Sequence, residues 1–233
     1  MADLQRLEAL VDHVDALLAA SVAAPTALQD LGLRHLAKGA ASTRSALLLL
    51  REGRWPDACI LTRAVIEQLF SYLWVVQDPL LAEARSRMVT LKQEWANAQY
   101  LEGLAATAAE PQRTRLAEAA VAYREAASVL LADLSAELGL TEKQVRTQAN
   151  AKVSAKANEV QVDPRFSIPF AYYSGFVHTD GIALAHFAGY AAAPEPDLPV
   201  AADLHRTMLQ LLLEVGSRVD LPLGFAHEQL TGL

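Results

Sequence analysis

The stretch W-P-D-A-C-I-L-T-R-A-V-I-E-Q-L-F-S-Y-L-W, residues 55–74, decides the fold class. Trp55, Pro56 and Asp57 form a start signal, because the fixed φ and missing N–H of proline suit the first helical position. From there Cys59, Ile60, Ile66, Leu69, Phe70, Leu73 and Trp74 leave little room for a polar side. A helix that is apolar on most sides is buried, so this segment is predicted to be the central helix of a bundle. Its internal charges, Arg63 and Glu67, are four residues apart and share a helical face. Burying charge costs free energy unless the charge is paired. The pair is therefore read either as a polar seam that fixes helix register or as part of a functional site.

Neighbouring segments repeat the helical pattern. Leu4, Leu7, Leu10, Val11, Val14, Leu17 and Leu18 recur at three- and four-residue spacing, which predicts a helix over about 3–22. A second is predicted from Thr26 to about Glu52 and ends at Gly53, with Gly32 and Gly39 as internal weak points. Asp78 before Pro79, and Glu110 before Pro111, open two long charged helices to about Leu104 and Leu138, the second stopped by Gly139. These predict a helical hairpin near 79–138, either protruding or packed along the bundle. Thr141 with Gln144 three residues later is a capping box. Residues 149–163, with little periodicity, read as the most mobile internal segment. Pro164 and Pro169 frame the start of a helix that carries Phe170 to Gly175, bends at Gly181 and continues through Ile182, Leu184 and Phe187. A proline-rich connection over 191–199, a last helix from about Ala201 to Val219 and a loose tail over 220–233 follow. The expectation is an all-α bundle of about seven to nine helices in one domain, 1–233.

Composition narrows the function classes. With 20 Lys and Arg against 27 Asp and Glu the net charge is −7, which argues against binding duplex DNA through many phosphate contacts. The single cysteine, Cys59, allows no intramolecular disulfide and reads as a small core residue. The N-terminus M-A-D-L-Q-R-L-E is acidic where a signal peptide is basic, and no apolar run approaches the ~18 residues of a membrane span. A cytoplasmic location without membrane contact is expected.

The chemistry-bearing residues crowd into F-A-Y-Y-S-G-F-V-H-T-D, residues 170–180. Ser174 and His178 are four apart on one helical face, and histidine is the side chain whose charge changes nearest neutral pH. His178 is the candidate general acid or base, and Arg63 the candidate stabiliser of anionic charge. Glu67, Tyr172, Tyr173, Ser174 and Asp180 are the candidate orienting or binding neighbours. No metal site is expected: His178 and His186 are eight apart, too far to share an ion on a straight helix, and no Glu-x-x-His tetrapeptide occurs. No cofactor motif is present either, neither G-x-x-x-x-G-K nor G-x-G-x-x-G. His13, His35, His205 and His227 read as surface or edge residues.

R-A-V-I-E on one helix and Y-Y-S-G-F-V-H on a later one resemble a bacterial family of helical proteins known as a domain of unknown function. The likeness rests on Arg63, Glu67, Tyr172 or Tyr173, Ser174 and His178, and covers mainly residues 45–190. The architecture also resembles the HEPN superfamily, helical bundles that include metal-independent ribonucleases of toxin and antiphage systems and are usually dimeric. That likeness implies a homodimer formed through helices and RNA as the substrate, whereas the same residues read as a binding site would hold an anionic small molecule or a peptide between helices without turnover. The linear HEPN ribonuclease motif, an arginine a few residues before the histidine, is missing: the arginine preceding His178 is Arg165, thirteen positions upstream. A binding or scaffolding protein is the first expectation and a metal-independent ribonuclease the alternative.

Overall fold

The computed structural model describes residues 2–20, 26–178 and 199–219. Among them are nine α-helices and no strand. They are α1 (Ala2–Ala19), α2 (Ala27–Arg51), α3 (Trp55–Val76), α4 (Ala82–Thr107), α5 (Gln112–Leu138), α6 (Glu142–Ala149), α7 (Val153–Glu159), α8 (Pro164–His178) and α9 (Val200–Val219). The chain clusters into two compact units, Met1–Val76 with Lys156–Leu233, and Gln77–Ala155. The expected helix beyond Gly181, the proline-rich connection and the C-terminal tail lie outside the described residues.

In the first unit α3 is the hub, packed by α2, α8 and α9, while α1 lies on α2 and α9. Thirteen of its residues are buried, Val65, Ile66, Leu69 and Tyr72 among them, as its all-round apolar sequence requires. By length and hydropathy α3 would also cross a membrane, with a mean hydropathy of 1.4 over 18 residues. No uninterrupted apolar run reaches that length, because Arg63 and Glu67 interrupt a segment that is apolar only on average. Over half of that window, 56%, is buried inside the protein.

Local chemistry explains the helix ends. Thr26 and Thr141 each close a capping box, with Gln29 and Gln144, and so satisfy N–H groups that an α-helix leaves open at its start. Gly139 ends α5 in the left-handed region at φ 63°, where a side chain would be strained. The internal glycines do not break α2. At Gly39 the sulfur of Met208 on α9 would stand 3.0 Å from an added Cβ, so the glycine permits a close approach of the two helices.

The segment 149–163 contains the short helix α7, Val153–Glu159: the Lys156 ammonium sits 4.1 Å from the centre of the Trp74 ring, and the Trp74 indole N–H donates to Glu159 at 2.9 Å. A buried lysine is stable here because the indole face attracts the cation. His35 and His205, read as surface or edge residues, are half-buried, each with one ring nitrogen buried without a hydrogen-bond partner among the described residues. Burial lowers the pKa of both, that of His35 to about 4.

In the second unit α4 and α5 are the long pair, with α6 against both. Their buried positions recur every seven residues, Ala84, Leu91, Ala98 and Ala105 on α4 and Ala120, Ala127 and Leu134 on α5. A seven-residue apolar repeat is the seam of a coiled coil, and alanine at most of these positions lets the axes approach closely. Arg87 pairs with Glu137 and Arg124 with Glu102 across the seam, which makes the helices antiparallel.

Candidate functional site

Helix α8 begins at Pro164, where Asp163 caps it by accepting the backbone N–H of Arg165 at 2.8 Å. Of the two prolines read as framing the start, Pro164 opens the helix and Pro169 lies inside it. It gives up one backbone hydrogen bond, a loss that packing of α8 on α3 outweighs. The aromatic residues make that packing: Phe70 of α3 meets Phe170 at 5.2 Å, and Trp55 meets Phe176 at 6.0 Å.

Within this apolar contact runs a polar seam. Arg63 Nε donates to Ser174 Oγ at 3.1 Å, across 111 residues of sequence. Arg63 Nη1 donates to Glu67 Oε2 at 2.9 Å, and the guanidinium lies over the Phe170 ring, 5.0 Å from its centre. The Ser174 hydroxyl in turn donates to the Phe170 carbonyl at 2.7 Å. The two sequence motifs therefore meet. The Arg63 and Glu67 side chains are 20% and 34% exposed, so the pair sits at the edge of the core and is neither sealed nor fully solvated. Chemically, both sides of the arrangement are engaged: one Arg63 donor is neutralised by a carboxylate, and the Ser174 proton is committed to a backbone carbonyl.

The adjacent tyrosines divide. Tyr172 stacks edge-on with Tyr173 at 5.7 Å and tilts against Phe176 at 5.8 Å. Tyr173 is buried and takes no part in the Arg63 seam: its hydroxyl donates to Asp203 Oδ2 on α9 at 2.8 Å. Arg206 holds the other Asp203 oxygen at 2.9 Å, and the Thr207 hydroxyl donates to the Asp203 carbonyl at 2.7 Å. Burial, then the Asp203 carboxylate, drives the Tyr173 pKa upward, and the same two causes push the buried Cys59 thiol up to about 12. Sequence reasoning missed Asp203. Its only signal was an acid in the first turn of a helix with an arginine three residues on, a pattern usually found on a surface.

His178 is the last residue of α8, and its side chain lies outside what the structure describes; so does Asp180. Arg165, the arginine preceding His178, is taken by Asp163 at 2.8 Å. Among the described residues no group of three or more His, Cys, Asp or Glu is placed to hold a metal ion.

Fold and seam together define an all-helical protein in which an Arg-x-x-x-Glu helix and a Tyr-Ser helix lock through one guanidinium. The chain belongs to the family of unknown function DUF5677, whose model matches residues 29–191 and so takes in both motifs. No curated protein and no solved structure matches the chain.

Proposed function

We propose that this protein acts by binding, as a HEPN-like helical scaffold, and that Arg63 positions α8 and does not react with a substrate. The supporting observation is the commitment of Arg63 to Glu67, Ser174 and the Phe170 face. An arginine that stabilises a phosphoryl transition state must offer its donors and its charge to the phosphate, and a carboxylate at 2.9 Å competes for both. The outer edge of the guanidinium is left for one anionic contact, from a small molecule, a peptide or an RNA strand held without turnover. A cytoplasmic location and a homodimer belong to the same reading. For the dimer the support is an exposed apolar line on α4, Val89, Tyr100 and Leu104, at helical spacing. Tyr100→Glu should then shift a dimeric species towards monomer in light scattering, and a wild-type protein that is monomeric at high concentration would remove the dimer from the proposal.

The deciding experiment incubates purified protein with a broad RNA panel in the presence of a metal chelator, alongside Arg63→Ala and His178→Ala. No cleavage by wild type is expected. Arg63→Ala should instead lower stability by about 1–2 kcal/mol, since a charge-assisted hydrogen bond and a partly exposed ion pair are lost together. Cleavage by wild type that disappears in His178→Ala would establish the ribonuclease alternative. An Arg63→Ala protein as stable as wild type would remove the positioning role.

A further inference from the structure

The second unit, Gln77–Ala155, holds a cleft of about 530 Å³ that no motif in the sequence announces. Three helices build it: α4 supplies Lys92, Trp95 and Gln99, α5 supplies Arg124, and α6 supplies Arg146, with Asn150 at its C-terminal cap. Its walls carry three cations, two amides and an indole, and no carboxylate, in a chain of net charge −7. Like charges converging from separate helices repel one another, so an anion between them would relieve that repulsion.

Their existing partners are weak. The Arg124 bridge to Glu102 is exposed on both sides, and Arg146 reaches Glu142 only at 3.7 Å, also exposed. Such pairs contribute little and yield readily to a better anion. Lys92 is exposed and has no ion-pair partner among the described residues. The Arg146 guanidinium is held in place differently, over the Trp95 ring at 4.9 Å from its centre.

We propose that this cleft binds a small organic phosphate, a phosphate ester whose other half is a flat unsaturated ring. Phosphate fits better than carboxylate: a tetrahedral dianion accepts donors from several directions at once, as Lys92, Arg124 and Arg146 supply them, whereas one arginine satisfies a planar carboxylate. The ring follows from Trp95 in the lining with the Arg146 guanidinium over it, two planar groups against which a further flat group can pack, with Gln99 and Asn150 as hydrogen-bonding neighbours. The volume suits a small molecule and is far too small for a duplex.

The test is titration calorimetry on the full chain with phenyl phosphate, inorganic phosphate, benzoate and phenol as probes, paired with tryptophan fluorescence. Trp55 and Trp74 are buried in the first unit, so Trp95 is the indole that a ligand in the cleft would perturb. Phenyl phosphate is expected to bind and quench fluorescence, with inorganic phosphate about tenfold weaker and benzoate and phenol weaker still. Lys92→Gln, a change at an exposed side chain, should weaken phenyl phosphate by about tenfold. Arg146→Gln should weaken it further, with circular dichroism confirming that both variants fold. Trp95→Phe should abolish the quench. Benzoate binding as tightly as phenyl phosphate, binding that ignores Lys92→Gln, or no heat and no quench with any probe would each overturn the proposal. Because the readout is Trp95, its failure leaves the Arg63 seam and its RNA test untouched.

Discussion

Lowering the pH from 6.5 to 5 is expected to remove about 1.5 kcal/mol of stability through His35. On α2 its ring tilts against Tyr72 of α3 at 5.3 Å, with Nδ1 buried and lacking a hydrogen-bond partner among the described residues. Desolvation is the main cause of its low pKa, about 4; the charge of Lys38 adds to it, and a hydrogen bond with Gln68 opposes it. In the folded state the imidazole stays neutral down to about that value, whereas in the unfolded chain it takes up a proton near pH 6.5. The stabilisation is therefore whole above pH 6.5 and is lost as the pH falls towards 4. His205, lowered by burial and by Arg6 and Arg206 against the opposing charge of Asp3, acts in the same direction. Above pH 5 ordinary carboxylates have barely begun to titrate, so the window isolates the histidines. Urea unfolding of wild type and His35→Leu at pH 7, 6 and 5 checks this: the variant should show a flatter profile. Equal slopes for the two proteins would rule His35 out as the source.

Tyr173→Phe is expected to cost about 1.5–3 kcal/mol, more than most single hydroxyl deletions. The lost donor serves Asp203, a carboxylate only 7% exposed, whose remaining side-chain partner is Arg206. A buried acceptor left without its donor carries its full desolvation cost, while the tyrosine ring and its contacts are unchanged. Adding Asp203→Asn to Tyr173→Phe should recover part of the loss, because a buried neutral amide costs less to desolvate than a carboxylate that has lost one of its two side-chain partners. A double mutant less stable than the single would contradict this account. The alkaline side follows with the opposite sign. Cys59 and Tyr173 are held neutral in the fold, with raised pKa values, so they contribute stability below their ordinary values, ~8.5 and ~10, that is lost as the pH rises beyond them. Thermal unfolding of Tyr173→Phe between pH 8 and 11 should show a shallower decline than wild type.

How much of the site was legible differs residue by residue. Arg63 with Glu67 could be read because both lie on one helix, where spacing fixes the face, and the ion pair forms as the spacing implies. Tyr173 was grouped with Ser174 because they are adjacent in sequence. On a helix, adjacent residues point about 100° apart, so one reaches α3 and the other α9. Lys156 lies in a stretch with little periodicity; its place on Trp74 depends on where α7 docks, and no local pattern encodes that. The cleft of α4, α5 and α6 was invisible for the same reason, its cations being scattered over more than fifty residues.

The sequence by itself determined most of the helices and several of their ends, since apolar spacing, the proline at Pro56, the Thr141 capping box and the left-handed Gly139 act within a turn or two of chain. It also determined that α3 is central, because a helix apolar all round has no stable surface position. Only the tertiary structure decided which polar groups meet: Arg63 with Ser174, Tyr173 with Asp203, Arg146 with Trp95. The physical reason is range. Helix formation is governed by bonds across four residues, whereas a polar partner is chosen by how whole helices rotate and slide to bury their apolar faces, and the buried polar groups then pair with what that packing brings within reach.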